Sequence, residues 1–347
     1  MAEVSLTLLD LAAIPEGGSA ADTIAASIAL AQDAEQWGYQ RYWLAEHHLT
    51  AGLAAVSPVS VLAAIAGRTS TIRIGSGATL TGHRTALSIA EDFATLAALA
   101  PGRVDLGFGR SAARGRDAST TRPAAAAVAA SPRFARRLDL LQQSGAVAAD
   151  HGDLVRDVLR MLEDEYVDAD GEKWNALVGG GEVEVWSLGS SAGESAQLAG
   201  DLGLPFAVNH HMSPSTAEDA VQHYRAAFTA AHPGLAARVA VAAEVCIAQA
   251  RDQVADRRAA HAEWIARQRR GLGILPFPTS GAPGVIDDPQ IADRMGALVA
   301  GAPSDVAADL RALASRFEAD EVIVSILDHE LARRAETHRL LAEAWFV

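Results

Sequence analysis

Three consecutive residues, Glu46, His47 and His48, have the clearest potential for catalysis in this chain. They directly follow an apolar run over residues 42–45 that is typical of a buried strand. An imidazole changes charge near neutral pH, so it can move a proton or hydrogen-bond a reactive intermediate. Ordinary surface or core histidines are the alternative interpretation. A metal site would need a third ligand, which spacing alone does not indicate, so no metal is expected. The other histidines considered for it are His83, His210 and His211.

A second group of residues could bind a phosphate. Arg110 ends the run Val-Asp-Leu-Gly-Phe-Gly, where a guanidinium could hold a phosphate with two hydrogen bonds. Ser190, Ser191 and Ser195 follow another strand-like run and open a predicted helix over residues 190–202. Hydroxyls, backbone N–H groups and the positive helix end would converge there. A salt bridge for Arg110 and ordinary helix capping by the serines remain open.

Glycines interrupt one strand-like run. Residues 75–78 read Gly-Ser-Gly-Ala inside the run over residues 72–80. Glycine within a strand is typical of a bulge or of a flat ligand lying against the backbone. Close packing between a helix and the sheet would explain the same pattern.

Strand-like and helix-like patterns alternate along most of the chain. The predicted strands cover residues 5–11, 40–45, 72–80, 104–109, 183–189, 205–209, 239–248 and 321–327. The predicted helices cover residues 19–37, 58–68, 85–99, 134–143, 153–165, 190–202, 215–231, 251–268, 304–317 and 329–345. Long irregular excursions follow the fourth and seventh strands, over residues 111–181 and 269–303.

Eight strand–helix units predict an α/β fold of the TIM-barrel type, a (β/α)8 barrel, in a single domain over residues 1–347. An open doubly wound sheet is the alternative, and the glycine-rich dinucleotide fingerprint that would favour it is absent. In either fold the polar residues described above follow the C-terminal ends of parallel strands, where such proteins build their sites.

Composition limits the partners and the compartment. The 347 residues carry a formal net charge of −14, which argues against binding to nucleic acids or anionic membranes. A single cysteine, Cys246, cannot form an intrachain disulfide. The N-terminus lacks the basic segment of a signal peptide, and no uncharged apolar run reaches membrane-spanning length. We therefore expect a cytoplasmic protein.

Four segments resemble the bacterial luciferase-like flavin monooxygenases. They read YWLAEHHLTAG, SPVSVLAAIAGRTSTIRIGSGATLTGHRTALSIAEDFATLAALAPGRVDLGFGR, EVWSLGSSAGESAQLAGDLGLPFAVNHHMSP and APSDVAADLRALASRFEADEVIVSI. The resemblance implies a (β/α)8 barrel that binds reduced FMN supplied by a separate, transiently bound reductase. It also implies oxygenation of a small organic substrate, aldehyde-like or other, by O2 through a C4a-peroxyflavin. A homodimer formed through the helices beside strands two and three is implied as well.

The resemblance also assigns roles to individual residues. His47 falls on the catalytic histidine of the family, and Gly77–Ala78 on an unusual cis peptide against the flavin ring. Further residues are implied to bind the cofactor: Glu46, His48 and Glu91 near the flavin, and Arg110, Ser190, Ser191, Ala192 and Ser195 at its phosphate. Hydride transfer with the deazaflavin F420 and a non-catalytic flavin-binding barrel are the alternative functions. The substrate is not predicted.

Overall fold

The computed structural model describes residues 4–109 and 150–346, together with the isolated residues 136, 140 and 141. The phosphate-binding residue expected at Arg110 lies outside these described residues, as does most of the helix predicted over residues 134–143.

The strands form a closed parallel barrel, as predicted. They are β1 (Ser5–Asp10), β2 (Arg41–Leu44), β3 (Arg73–Leu80), β4 (Val104–Gly109), β5 (Val183–Gly189), β6 (Phe206–Val208), β7 (Val239–Ile247), β8 (Val299–Gly301) and β9 (Glu321–Ile326). Strands β1 to β7 pair in succession, and β9 closes the ring between β7 and β1. Because β6 also pairs with β7, the open-sheet alternative is wrong.

Strand β8 corrects the expectation of an irregular segment over residues 269–303. It has three residues and pairs with the C-terminal end of β7 only, where Val245 faces Val299. A run this short has no periodicity of its own, so only its pairing with β7 makes it a strand.

Helices lie outside the barrel between the strands. They are α1 (Ala20–Gln36), α2 (Pro58–Ala66), α3 (Ala86–Leu99), α4 (His151–Leu162), α5 (Glu194–Asp201), α6 (Ala217–Ala231), α7 (Arg251–Arg269), α8 (Ala292–Ala297), α9 (Pro303–Phe317) and α10 (Leu331–Trp345). Side-chain caps begin some of them: Ser19 accepts from the Asp22 N–H at 3.1 Å, and Thr85 from the Ser88 N–H at 3.1 Å. Within the part of the chain that is described, no helix is long and apolar enough to cross a membrane.

Alternate residues of the strands face the barrel interior and the helices. On β2, Tyr42 and Leu44 belong to the layer between strands and helices, whereas Trp43 belongs to the interior cluster. Trp43 meets Trp186 of β5 edge-to-face at 5.4 Å between ring centroids. This side-chain layer fills the middle of the barrel.

A buried ion network lies inside the barrel at the N-terminal ends of the strands. The Arg41 guanidinium donates to Asp105 at 2.8 Å, to Glu184 at 3.1 Å and to Glu321 at 3.2 Å. The indole N–H of Trp43 also donates to Asp105, at 3.0 Å. Since these side chains satisfy one another, the functional site is expected at the opposite, C-terminal end.

Candidate active site

A cavity of about 450 Å³ opens at the C-terminal ends of the strands. This volume falls within the range of about 300–1,000 Å³ that is usual for small-molecule sites. The cavity wall includes residues of β3, β5, β7 and α7, residues that follow β2, β5 and β6, and side chains from the excursion after α7.

The Glu46 carboxylate connects the ends of β2 and β3. It is buried and accepts hydrogen bonds from His48 Nε2 at 2.7 Å and from the Leu80 N–H at 3.0 Å. His83 Nε2 lies 3.3 Å from the same carboxylate. Burial opposes ionisation of Glu46, but the hydrogen bonds from His83, Leu80 and His48 outweigh it and lower its pKa. The sequence had not paired His83 with Glu46, since a turn separates His83 from β3.

This group also bears on the expectation of no metal. The ligand atoms of Glu46, His48 and His83 all lie within 4.8 Å of one another. The contact between Glu46 and His48 has the length of a charge-assisted hydrogen bond, and the two imidazole rings meet edge-to-face at 4.6 Å. The same three side chains could hold an ion, so the expectation of no metal stays a prediction.

His47 lies next to Glu46 on the cavity wall. It is half-buried and lines the cavity, and its backbone N–H donates to the Ala55 carbonyl at 2.9 Å. Glu46 lines the same wall. The structure therefore places the predicted catalytic histidine at the open end of the barrel, with an ionised carboxylate next to it.

The peptide bond between Gly77 and Ala78 is cis, as the resemblance implied. Both residues line the cavity, and the pairing of β3 with β4 shifts register between Ser76 and Thr79. This register shift agrees with the irregularity that the glycines predict in the strand. A Cβ at Gly77 would lie 2.9 Å from Leu9 Cδ1, so a side chain at this position would disturb the interior layer.

Three of the predicted phosphate-binding residues, Ser190, Ser191 and Ser195, line the cavity, whereas Ala192 does not. The helix starts later than predicted, because α5 begins at Glu194 and Ser195 is its second residue. Before that, the chain is held to the next strand connection: the Ser190 carbonyl accepts from Thr216 Oγ1 at 2.6 Å. The serines are therefore not helix caps, because Gly193 occupies the N-cap position of α5.

Glu91 does not join the other predicted residues. It is exposed on α3 and is absent from the cavity wall. The buried face of that helix consists of apolar residues, among them Ile89, Ala90 and Phe93.

A charged cluster on the far wall was missed by the sequence analysis. Glu244 of β7 is buried and accepts from Arg294 Nη2 at 2.7 Å and from His261 Nε2 at 2.9 Å. Burial opposes the ionisation of Glu244, but Arg294 and His261 outweigh it and hold its pKa well below the usual range. The sequence did carry one signal of this cluster, because Glu244 is the only charged residue of the buried strand Val239–Ile247. Arg294 has no local signal, because it lies in the irregular excursion.

Polar and aromatic groups surround this cluster. Asn209 and His211 follow β6, Trp264 and Gln268 lie on α7, and all four line the cavity. Burial lowers the pKa of His211, so its imidazole is neutral at neutral pH. His210 faces away from the cavity and packs edge-on against Phe317 at 5.6 Å.

The family model for the luciferase-like monooxygenases matches residues 5–321. The chain belongs to the luciferase-like monooxygenase family. It is 32% identical to the YvbT protein of Bacillus subtilis (strain 168), over 98% of this chain and 96% of that protein. It is also 27% identical to the N-acetyl-S-alkylcysteine monooxygenase of the same organism, over 98% of each chain.

Solved structures of similar fold include a monooxygenase and a reductase. Apo-MsnO8 matches with a TM-score of 0.78 and 29% identity over 99% of both chains. The oxygenating constituent of 3,6-diketocamphane monooxygenase from Pseudomonas putida, in complex with FMN, matches with a TM-score of 0.69 and 18% identity over 98% of both chains. The F420-dependent tetrahydromethanopterin reductase from Methanopyrus kandleri matches with a TM-score of 0.65 and 17% identity over 99% of both chains. The last two structures are only 18% and 17% identical to this chain, so their similarity shows a shared fold alone.

In this luciferase-like protein the cavity has two chemically different walls. The residues predicted from sequence lie on β3 or follow β2 and β5, and the charged cluster lies on β7 and the excursion after α7. Since β3 and β7 are four strands apart in either direction around the barrel, these walls face each other.

Proposed function

We propose that this chain is a flavin-dependent monooxygenase that uses reduced FMN and molecular oxygen to oxygenate a small organic substrate. The proposal is carried by the meeting of His47, the cis Gly77–Ala78 peptide and Ser190 on one cavity. The family resemblance relates these positions to catalysis, to the flavin ring and to the flavin phosphate. They come from three different strand ends, so their convergence is independent of their spacing in the sequence.

The residues present fit a flavin mononucleotide. The hydroxyls of Ser190, Ser191 and Ser195, next to the N-terminus of α5, would hold its phosphate. The Gly77–Ala78 segment would lie against the ring, because it presents backbone and little side chain. When bound, the reduced flavin would supply the electrons that activate O2.

The protein would hold the proton that the reaction needs and would exclude water from the cavity. His47 would hold a proton at an imidazole nitrogen or donate a hydrogen bond toward the reacting oxygen. Glu46 would keep its neighbours in place through its hydrogen bonds to His48 and Leu80. Apolar side chains, among them Leu9 and Leu188, form part of the wall and would exclude water.

Relatives support oxygenation with FMN as the first hypothesis. One full-length relative is named as a monooxygenase of N-acetyl-S-alkylcysteine, and one oxygenase of the same fold is in complex with FMN. A separate reductase would supply the reduced flavin, and a homodimer is part of the same proposal.

The test is flavin binding followed by turnover. FMN, reduced FMN and F420 would be titrated by fluorescence, and turnover would be followed with a flavin reductase, O2 and untargeted product detection. We expect FMN to bind more tightly than F420. Tighter binding of F420 would favour hydride transfer, and oxygen uptake with no product from any substrate would favour a non-catalytic barrel.

His47→Ala tests the catalytic assignment. We expect product formation to fall by about 100-fold or more, as is usual when a general acid or base is lost, while the affinity for FMN changes by less than about threefold. His223→Ala is the control, because His223 lies on α6 outside the cavity wall and its loss leaves turnover unchanged. A normal product yield from His47→Ala would show that His47 is not catalytic.

A further inference from the structure

We propose that Arg294 binds the carboxylate of a small organic acid, the molecule that the enzyme oxygenates, and so determines substrate specificity. This inference rests on the proposed function, because it names the class of substrate that would occupy the cavity beside the flavin. Arg294 lies on α8, in the excursion after α7, and lines the cavity.

An unpartnered donor supports a ligand at this position. The Arg294 side chain is 5% exposed, and its Nη2 donates to Glu244 at 2.7 Å. Its Nε, in contrast, is buried and has no hydrogen-bond partner. A buried donor left without an acceptor costs about 1–3 kcal/mol, and more when it is charged. An oxygen acceptor brought against this side of the guanidinium would satisfy this nitrogen.

Glu244 orients the guanidinium and offers little to a ligand itself. Its Oε1 accepts from Arg294 and its Oε2 accepts from His261 at 2.9 Å. The donors of the guanidinium, not the oxygens of Glu244, are thus the groups available to a ligand.

A second carboxylate beside one guanidinium has a precedent in this protein. At the other end of the barrel, Arg41 contacts Asp105, Glu184 and Glu321 at once. The planar fork of arginine allows this, since its several N–H groups point to different acceptors. Arg294 can therefore bind a ligand carboxylate while it retains Glu244.

The position of Arg294 separates it from the phosphate end of the cavity. Among the described residues of the cavity wall, Arg294 is the only arginine or lysine, and it reaches Glu244 on β7 rather than the serines that follow β5. The cavity wall also includes Trp264, Ile274 and Met212. Trp264 is held in place, because its Nε1 donates to the Leu275 carbonyl at 3.1 Å. A molecule with one carboxylate and an apolar body matches this combination.

The experiment compares acids with their amides. The FMN-loaded protein would be titrated by calorimetry with a panel of short-chain and arylalkyl carboxylic acids, each paired with its primary amide. We expect the best acid to bind at least about tenfold more tightly than its amide, a difference of about 1.4 kcal/mol. In Arg294→Gln the acid should lose about tenfold in affinity and the amide less than about twofold. In turnover, the loss should appear in KM more than in kcat.

Two further variants keep the result interpretable. Arg294→Lys retains a positive charge beside Glu244 but lacks Nε, so it should fold and still lose most of the preference for the acid. Arg267→Gln is the matched control: Arg267 lies on α7, contacts Glu16 and Glu263, and does not line the cavity. Its preference should equal that of the unmodified protein.

The outcomes separate this proposal from the function on which it rests. If FMN binds normally but no acid in the panel is preferred over its amide, or if Arg294→Lys and Arg294→Gln retain the preference, the role of Arg294 is refuted alone. If neither flavin binds, the proposed function fails. The calorimetric comparison, made then on the flavin-free protein, still decides whether Arg294 selects an acid.

Discussion

At the scale of single residues, one carboxylate organises the catalytic wall. Glu46 is held by His48 and by the Leu80 N–H, and His83 approaches it from the turn after β3. It thereby joins the residues that follow β2 to those that follow β3. These contacts of Glu46 also position His47, the next residue. The neighbouring histidines are therefore best understood as partners of Glu46, and His47 as the residue presented to the cavity.

Glu46→Gln should loosen this wall. An amide has a single accepting oxygen, so it cannot accept both from the imidazoles, which contact Oε1, and from the Leu80 N–H, which donates to Oε2. We expect a loss of about 1–3 kcal/mol in the free energy of unfolding and weaker FMN binding. Urea denaturation and a fluorescence titration with FMN would measure both quantities.

Glu91→Gln is the matched control for the same measurements. Glu91 is exposed on α3 and does not line the cavity, so both quantities should stay the same within error. If Glu91→Gln weakens FMN binding as much as Glu46→Gln does, the role that the resemblance assigns to Glu91 stands.

At the scale of elements, glycine allows β3 and β4 to approach closely beside the cavity. A Cβ at Gly107 would lie 2.3 Å from the Ser76 carbonyl oxygen, and a Cβ at Gly75 would lie 2.4 Å from the Asp105 carbonyl oxygen. Both obstacles are backbone atoms, which cannot rotate away. The Ser76 hydroxyl also accepts from the Gly107 N–H at 3.2 Å, next to the register shift of this strand pair. The position of Gly77–Ala78 therefore depends on the absence of side chains on both strands.

Gly107→Ala should separate these strands. We expect a loss of at least about 2 kcal/mol in the free energy of unfolding, because an added methyl group has no room in a packed sheet. FMN affinity should fall in parallel, and urea denaturation with flavin titration would show it.

Gly296→Ala provides the comparison. No atom lies within 4 Å of a Cβ at Gly296, and this residue is part of α8. The substitution should be neutral or should stabilise the protein by up to about 1 kcal/mol, since alanine favours helix. Equal destabilisation by the two alanine variants would contradict the close-approach explanation for Gly107.

At the scale of the whole molecule, buried neutral histidines connect stability to pH. Burial lowers the pKa of His338 to about 3, and the pKa values of His210, to about 4, and His211 are lowered mainly for the same reason. His338 lies on α10, where its Nδ1 is 3.1 Å from the Tyr39 hydroxyl. These side chains lie where the outer helices and the barrel pack together. In the folded protein their imidazoles are neutral.

Lowering the pH below about 6.5 should therefore destabilise the protein. The unfolded chain binds protons at histidine near this pH, whereas the folded chain does not, so the stability contribution is complete above it and decreases toward pH 4. Each such histidine contributes a slope of at most about 1.4 kcal/mol per pH unit. Urea denaturation between pH 7.5 and 5 would measure the slope, and His338→Gln should reduce it. A free energy of unfolding that is constant over this interval would exclude this coupling.

Local sequence patterns determined much of the fold of this protein and several residues of its candidate site. The alternation of strand and helix periodicity predicts the closed barrel, because each amphipathic element already encodes which face it buries. Glu46, His47 and His48 could be predicted together, since they are adjacent and a parallel strand points its end to the site. The serines after β5 could be predicted for the same reason, although the start of their helix could not, because a bond from Thr216 holds Ser190 outside it.

The tertiary structure alone decided which distant residues meet. Arg294 lies 50 positions after Glu244, and no periodicity relates them; the excursion brings them together across the end of β7. The same applies to β8, which is a strand only because β7 pairs with it, and to Glu91, whose helix turns it outward. Short-range sequence patterns indicate only which residues of a single helix or strand are buried. The far wall of the cavity is made of contacts between elements, and these form only when the barrel closes.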